Sequence, residues 1–169
     1  MPELSYLEKI EFLASNAINE EFYNSNEEHA QIVLTAMVRY SKEKVRIFCG
    51  NMCTDVSNDP KYLNEIKLFL SERRGFMEIL FCEYKDHFKD QPIYKLLNQY
   101  PQEQVKIKTI NTLLMYNGKP VHFTVSDNKS FRFETDTLEK TARGNFYDPD
   151  SAKMLSEEFD KLFIRGLPL

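Results

Sequence analysis

Apolar residues recur along the chain with two different spacings, which predict an alternation of helices and strands. Spacings of three or four residues, together with capping residues and Pro at segment starts, predict five helices: residues 4–17, 26–41, 60–74, 92–100 and 149–162. Short apolar runs or strict alternation predict five strands: residues 44–50, 76–82, 105–110, 121–126 and 131–134. The predicted order is therefore α-α-β-α-β-α-β-β-β-α.

The connections between these segments indicate how the strands pair. Helices separate the first three strands, and such crossovers favour parallel neighbours. The turn dipeptides Asn117-Gly118 and Asp127-Asn128 separate the later strands, which favours antiparallel hairpins. We therefore predict an α/β fold with a mixed, mainly parallel sheet flanked by helices. Residues 1–24 are expected to form an N-terminal helical arm, and residues 25–169 a single α/β domain.

Composition narrows the class of protein. A chain of 169 residues with 42% apolar residues can bury one core, and its net charge of −4 is a poor footprint for non-specific DNA binding. No apolar run approaches the length of about 20 residues that spans a membrane, and the N-terminus lacks a signal-peptide pattern. The odd set of Cys49, Cys53 and Cys82 has neither a disulfide nor a zinc-finger pattern. We therefore expect a cytoplasmic protein with no membrane association, metal site or cofactor.

The most informative stretch is residues 119–163, which reads KPVHFTVSDNKSFRFE, a polar spacer, and ARGNFYDPDSAKMLSEEFDKLF. Together with VRIF, MEILF and VKI further upstream, this layout resembles one half of a phospholipase D-like domain over residues 27–165. Active members of that family carry His-x-Lys on the first strand of the hairpin, then an Asp, then a Gly-Ser-x-Asn element. The resemblance implies that the His is the nucleophile and that the Lys and Asn bind phosphate.

Neither alignment of that motif gives a complete catalytic set. Aligning Asp127 with the motif Asp places Pro120 at the nucleophile position and His122 at the Lys position. Placing His122 as the nucleophile instead puts Thr124 at the Lys position and Lys129 at the Asp position. Proline has no ionisable group, and threonine supplies no cation for a phosphate. The resemblance therefore implies a single degenerate unit without the full HxKxxxxD motif, which leans towards a non-catalytic protein.

Four residues are candidates for an anion site near the ends of the predicted strands. They combine an imidazole, two guanidinium groups and an amide, which are the donor types that hold phosphate or carboxylate. Asn145 also keeps, with Gly144, a trace of the family's Gly-rich Asn element. The candidates expected to converge are His122, Arg132, Arg143 and Asn145.

Each candidate also has a purely structural interpretation. The spacing favours a structural interpretation of His122, as a residue on the solvated or helix-covered face of a strand. Arg132 is placed to pair with Glu134 or with a neighbour across the hairpin, and Arg143 is placed on an exposed loop. The loop at residues 51–58 follows the carboxyl end of the first strand, where ligands of open α/β sheets bind, so it is a further candidate for a binding crevice.

Three functions are compatible with these residues. The first is a non-catalytic phospholipase D-like interaction or regulatory module that binds a protein, a nucleotide or a nucleic acid. The second is a weak or rearranged phosphodiesterase or nuclease that acts as a dimer through His122. The third is a structural subunit whose N-terminal helices dock on a larger complex. A protein partner or self-association is expected, because related units pair to form one site, whereas the net charge does not support a nucleic acid.

Overall fold

The computed structural model of the protein describes residues 2–169 and contains all of the predicted helices. The α-helices are α1 Tyr6–Ser15, α2 Glu27–Arg39, α3 Pro60–Ser71, α4 Pro92–Leu97 and α5 Pro149–Phe163, with a 3-10 helix at Asp86–Asp90. The side chains of Asn26, Asp59 and Asp148 accept backbone N–H bonds at the starts of α2, α3 and α5, which is why these helices begin where they do. Throughout residues 2–169, each helix falls short of the length and apolarity needed to cross a bilayer.

The strands form one large sheet and one small one. They are β1 Glu21–Asn24, β2 Lys44–Cys49, β3 Phe76–Phe81, β4 Val105–Thr109, β5 Met115–Tyr116, β6 Lys119–Pro120, β7 His122–Ser126, β8 Ser130–Asp136, β9 Thr141–Asn145 and β10 Leu167–Pro168. The large sheet has the order β1-β9-β8-β7-β2-β3-β4-β10, and β5 pairs with β6 separately. β7, β8, β9 and β1 thus extend one edge of the parallel unit formed by β2, β3 and β4, and β10 extends the other edge.

The sheet is mixed, as predicted, but it is mainly antiparallel rather than mainly parallel. β2, β3 and β4 are parallel neighbours, whereas the other five pairings in the large sheet are antiparallel. The difference arises because the apolar pattern does not reveal β1, β9 and β10, each of which adds an antiparallel neighbour. These strands are short and contain few large apolar residues, so they lack the alternation on which the prediction depends.

Helices cover both faces of the large sheet, and each face has its own core. On one face, α3 and the segment around α4 pack on β2, β3 and β4 through residues such as Phe69, Phe88 and Ile79. On the opposite face, α5 packs on β7 and β8 through residues such as Phe159 and Phe123. Because side chains alternate along each strand, a residue's position in its strand decides which of these faces it occupies.

The N-terminal arm, which the sequence pattern predicts to be helical, contains a strand as well as a helix. β1 pairs with β9 and forms one edge of the large sheet. Ile10 and Leu13 of α1 belong to the same buried cluster as Phe22 of β1 and Met37 of α2. Phe22 is the only large apolar residue that β1 buries, and one such residue is too weak a signal for a strand. A separable arm over residues 1–24 remains a prediction.

Asp127 fastens the hairpin between β7 and β8 to the segment that leads into β2. Its carboxylate accepts hydrogen bonds from the backbone N–H groups of Lys42, Glu43 and Lys44 at 2.7, 2.8 and 2.9 Å. Both residues of the turn have a φ of 53°, in the left-handed region that Asp and Asn tolerate better than most residues. These contacts set the register in which the start of β7 lies beside the end of β2.

Candidate functional site

A cavity of about 440 Å³ lies between the large sheet and α2, at the carboxyl end of β2. Its floor consists of residues from β2, β7 and β8, and its apolar wall includes Leu34 of α2 and Met52 and Val56 of the following loop. The loop at residues 51–58 therefore lines this edge, where its position after the first predicted strand indicates a crevice. The volume is typical of a pocket for a small molecule.

Arg132 is a buried cation on the floor of this cavity, with a relative exposure of 4%. Its Nη1 donates to Oε2 of Glu134 at 2.8 Å, and its Nε donates to Oδ1 of Asn24 at 3.1 Å. Its Nη2 is buried and has no hydrogen-bond partner among the described residues 2–169. The guanidinium group is thus held on two sides, and its Nη2 nitrogen keeps its N–H groups unused.

His122 lies beside this ion pair. It is in register with Glu134 on the neighbouring strand, so the two side chains occupy the same face of the sheet. Burial lowers the pKa of His122, while the carboxylates of Glu134 and Glu83 oppose that shift. A Cβ atom at Gly50 would lie 3.2 Å from Oε2 of Glu83 and 3.6 Å from Cε1 of His122, which shows how closely these groups approach. The imidazole is therefore mainly neutral at pH 7.

The charged groups around the cavity nearly balance. Arg132 on the floor and Lys85 and Lys140 nearer the solvent are positive, whereas Glu134 and Glu83 are negative. With a neutral imidazole, three cations and two carboxylates leave a formal charge of +1. The cavity therefore attracts anions weakly, and much less strongly than a cluster of unpaired cations does.

Only two of the four candidate anion-site residues reach this cavity. His122 and Arg132 line it, whereas Arg143 and Asn145 line a different cavity of about 200 Å³ beside α5. The expected convergence of all four residues is wrong, because β9 presents Arg143 and Asn145 on the face opposite to that of Arg132. The role of Arg143 and Asn145 in anion binding remains a prediction for that second location.

Both residues on the α5 face already have partners there. Nη1 of Arg143 lies 3.5 Å from Oε1 of Glu21, and its guanidinium lies over the ring of Phe133. The side-chain amide of Asn145 donates to Oδ1 of Asn19 at 2.7 Å and accepts from the backbone N–H two residues later. Asn145 therefore ties the loop before β1 to the end of β9.

The family's catalytic positions are occupied here by residues without the expected chemistry. Pro120, at the nucleophile position, lies in β6 and is not among the residues that line the cavity. Thr124, at the Lys position of the other alignment, is buried on the cavity floor. Asp127 is engaged with backbone N–H groups rather than with the cavity. Within residues 2–169, no cluster of three or more His, Cys, Asp or Glu side chains is suited to a metal ion.

Three residues at the site carry no local signal in the sequence. Asn24 reaches Arg132 from a position 108 residues away, and it also donates to the backbone oxygen of Lys140 at 2.7 Å. Lys140 and Glu83 lie in loops, where a single charged residue is ordinary. By contrast, the alternation of Arg132 and Glu134 along one strand indicates a same-face pair, and the structure contains that pair.

No protein-family model and no curated protein matches this sequence. Solved structures do match its fold, although the identities are low. TrmBL2, an archaeal chromatin protein with a novel mode of DNA binding, matches with a TM-score of 0.66 and 9% identity over 90% of this chain and 55% of its own. The present chain thus spans about half the length of that protein.

Two further structures match over almost their full length. NucT from Helicobacter pylori matches with a TM-score of 0.66 and 12% identity over 90% of this chain and 100% of its own. Nuc from Salmonella typhimurium, a phospholipase D family member, matches with a TM-score of 0.58 and 11% identity over 89% of this chain and 99% of its own. Identities this low show the fold and not the activity. The protein therefore has a phospholipase D-like fold.

Proposed function

We propose that this chain is a non-catalytic phospholipase D-like module that binds a ligand or partner through the cavity at His122 and Arg132. The observation that carries the proposal is the chemistry at the motif positions. Pro120 stands outside the cavity, and the one imidazole in its lining has no lysine two residues later, because that position is Thr124. A nucleophilic imidazole without the matching cation is poorly equipped to stabilise a phosphoryl transition state.

The electrostatics around His122 support the same proposal. The carboxylates of Glu134 and Glu83 lie near the imidazole, where they would repel the oxygens of an approaching phosphodiester. The nearest buried cation, Arg132, is already compensated by Glu134. A binding role needs only one available donor and a suitable shape, whereas phosphoryl transfer needs preorganised positive charge.

Hydrolysis of bis(p-nitrophenyl) phosphate by the purified chain tests the proposal. The expected rate equals that of buffer, and it is the same for the wild type and for the His122→Ala variant. Folding of both proteins is checked by circular dichroism. Turnover by the wild type that is lost in His122→Ala would establish the alternative, a rearranged phosphodiesterase, and would overturn the non-catalytic proposal.

Partner binding is part of this proposal and follows from the family resemblance. The fold gives the chain an exposed cavity mouth, and the turn between β8 and β9 places Leu138 there with a relative exposure of 90%. Self-association through this mouth is the simplest form of partner binding. The alternative, docking of the N-terminal arm on a larger complex, gains no specific support, because α1 and β1 pack within the molecule.

A further inference from the structure

We propose that the cavity binds a small monocarboxylate, whose acidic group contacts Nη2 of Arg132 and whose apolar body lies against α2 and the loop after β2. This inference rests on the proposed binding function and names the class of ligand. It differs from what the family resemblance implies, which is a phosphate held by Lys and Asn. The inference depends on Arg132 and its ion-pair partner Glu134, and neither residue belongs to the His-x-Lys motif.

The unused donor of Arg132 indicates an acceptor oxygen from outside the protein. Nη2 is buried and unpaired, although Nε and Nη1 have partners at 3.1 and 2.8 Å. Buried charged donors are costly to leave without an acceptor. Arg132 lines the cavity floor, so an acidic group that enters the cavity can supply that acceptor once the side chains that cover Nη2 move aside.

The depth of Arg132 favours a terminal acidic group. The side chain of Arg132 is only 5% exposed, and that of Glu134 beside it 9%. A terminal group enters such a site with one end of the molecule, whereas a diester in the middle of a polymer has to bring substituents on both sides of the phosphorus. The geometry therefore disfavours the backbone of a nucleic acid as the ligand.

The charge of the cavity selects a single negative charge. The formal charge of the lining groups is +1, which one carboxylate neutralises. A phosphomonoester carries about −1.5 to −2 at pH 7 and would exceed that charge beside Glu134 and Glu83. The second carboxylate oxygen has two neutral donors available in the lining, the hydroxyl of Thr124 and the N–H of the His122 ring.

The remaining wall of the cavity is suited to hydrocarbon. Ala30 and Leu34 of α2, together with Met52 and Val56 of the loop, provide an apolar surface opposite the polar floor. A ligand with an acidic end and an apolar body therefore matches both sides of the cavity. The available volume of about 440 Å³ excludes an extended macromolecule but accommodates a small molecule.

A ligand series measured by isothermal titration calorimetry on the full chain tests the inference. The probes are acetate, butanoate and hexanoate, with hexan-1-ol and hexylamine as uncharged and cationic controls. Hexyl phosphate and dibutyl phosphate represent the monoester and the diester. The affinity of the carboxylates is expected to rise about fourfold for each buried methylene. Hexanoate is expected to bind roughly tenfold or more tightly than hexan-1-ol, because a charge-assisted hydrogen bond is lost in the alcohol.

Variants identify the groups responsible. The double substitution Arg132→Gln, Glu134→Gln removes both charges of the buried pair, which avoids leaving either charge unpaired. It should weaken hexanoate binding about tenfold or more while leaving hexan-1-ol unchanged. Lys140→Gln, in the turn near the cavity mouth, should weaken hexanoate several-fold and serves as the second variant if the double variant does not fold. Lys153→Gln, on the exposed side of α5, is the matched control and should change neither affinity.

The outcomes separate this inference from the proposed function. Tight binding of hexyl phosphate or dibutyl phosphate without binding of hexanoate overturns the monocarboxylate assignment but leaves the binding module intact. Failure of every anionic probe to bind also overturns the assignment. Hydrolysis of dibutyl phosphate, lost in His122→Ala, overturns the non-catalytic function itself. If hexanoate binds the Arg132→Gln, Glu134→Gln variant as tightly as it binds the wild type, this cavity is not the binding site.

Discussion

His122 lies at a position that resembles that of a catalytic histidine, but its electrostatic surroundings differ from those of a nucleophile. Its backbone position at the start of β7 is fixed by pairing with β8, and its ring faces the cavity beside Glu134. Desolvation lowers the pKa of the imidazole more than the carboxylates of Glu134 and Glu83 raise it, with Lys140 and Arg132 lowering it further. The residue is therefore set up to stay neutral, as a hydrogen-bonding group.

This setting predicts how stability depends on pH. An unfolded histidine has a pKa of about 6.5, and the pKa of folded His122 is lower. Between those two values the unfolded chain binds more protons, so the free energy of unfolding should decrease as the pH falls below about 6.5. Above pH 7 the imidazole is neutral in both the folded and the unfolded chain, so no stability is lost through His122 there. Urea denaturation at pH 5, 6, 7 and 8 measures this dependence.

The His122→Gln variant provides the control for the other titrating groups. Carboxylates elsewhere titrate in both proteins, so the difference in unfolding free energy between wild type and variant isolates the imidazole. As the pH falls from 7 to 5, the wild type should lose more unfolding free energy than the His122→Gln variant. Parallel pH profiles for the two proteins would show that His122 titrates alike in the folded and unfolded chains.

At the scale of elements, the contact between β1 and β9 depends on a glycine. Gly144 lies opposite Phe22 in the β1–β9 pairing and opposite Arg132 in the β8–β9 pairing. A Cβ atom at Gly144 would lie 2.3 Å from the backbone oxygen of Phe131 and 2.5 Å from Cζ of Phe22. No side chain fits at those distances, so the glycine allows the ring of Phe22 to cover the strand directly.

We predict that Gly144→Ala lowers the free energy of unfolding by about 3 kcal/mol, because a backbone oxygen and a packed ring both have to move. Urea denaturation measures the change. Gly50→Ala is the matched control, because its nearest obstacle is the end of the flexible Glu83 side chain at 3.2 Å. That substitution should cost less than about 1 kcal/mol. Equal losses for the two variants would contradict the close packing of β1 on β9.

The sequence pattern reveals some elements of the fold and not others. β7 and β8 alternate Phe and Val with polar residues, and α5 begins with an Asp-Pro cap, so these elements follow from local rules. β9 contains no large apolar residue and is held by its neighbours instead. A strand of that kind is specified by tertiary contacts, so it has no periodic apolar pattern in the sequence.

The failure to predict β9 also explains why the four candidate residues were wrongly expected to converge. Arg132 and His122 lie on recognisable strands, and their alternation places them on one face with Glu134. For Arg143 and Asn145, the face depends on the register of β9 with β8, which the sequence does not reveal. One residue of difference in register moves a side chain to the other face. The half of the site on predicted strands was therefore accessible from the sequence, and the half on β9 was not.

At the scale of the whole molecule, the net charge of −4 does not favour a nucleic-acid surface. Of 22 Lys and Arg residues, eight form ion pairs with carboxylates in the described residues, and the net charge is −4. Paired cations contribute little to the long-range attraction that nucleic-acid binding requires. The likeness to a DNA-binding chromatin protein shows a shared fold and carries no evidence of DNA binding by this chain.

We expect self-association at the cavity mouth, which has an exposed apolar residue and charges of both signs. Leu138 protrudes there with a relative exposure of 90%, and Lys85, Lys140 and Glu83 provide charges of both signs around it. In a twofold arrangement the same surface meets itself, so the lysines of one copy can face the glutamate of the other. Such an interface would bury both leucines.

We predict that the chain forms a dimer that Leu138→Glu dissociates, because the substitution places two like charges at the centre of the interface. Size-exclusion chromatography with light scattering, over a range of protein concentrations, measures the mass. Met154→Glu is the matched control: Met154 is also exposed, at 70%, but it lies on α5 at the opposite face of the sheet, so this variant should remain dimeric. A wild type that stays monomeric at every concentration, or a dimer that only Met154→Glu disrupts, would reject the cavity mouth as the interface.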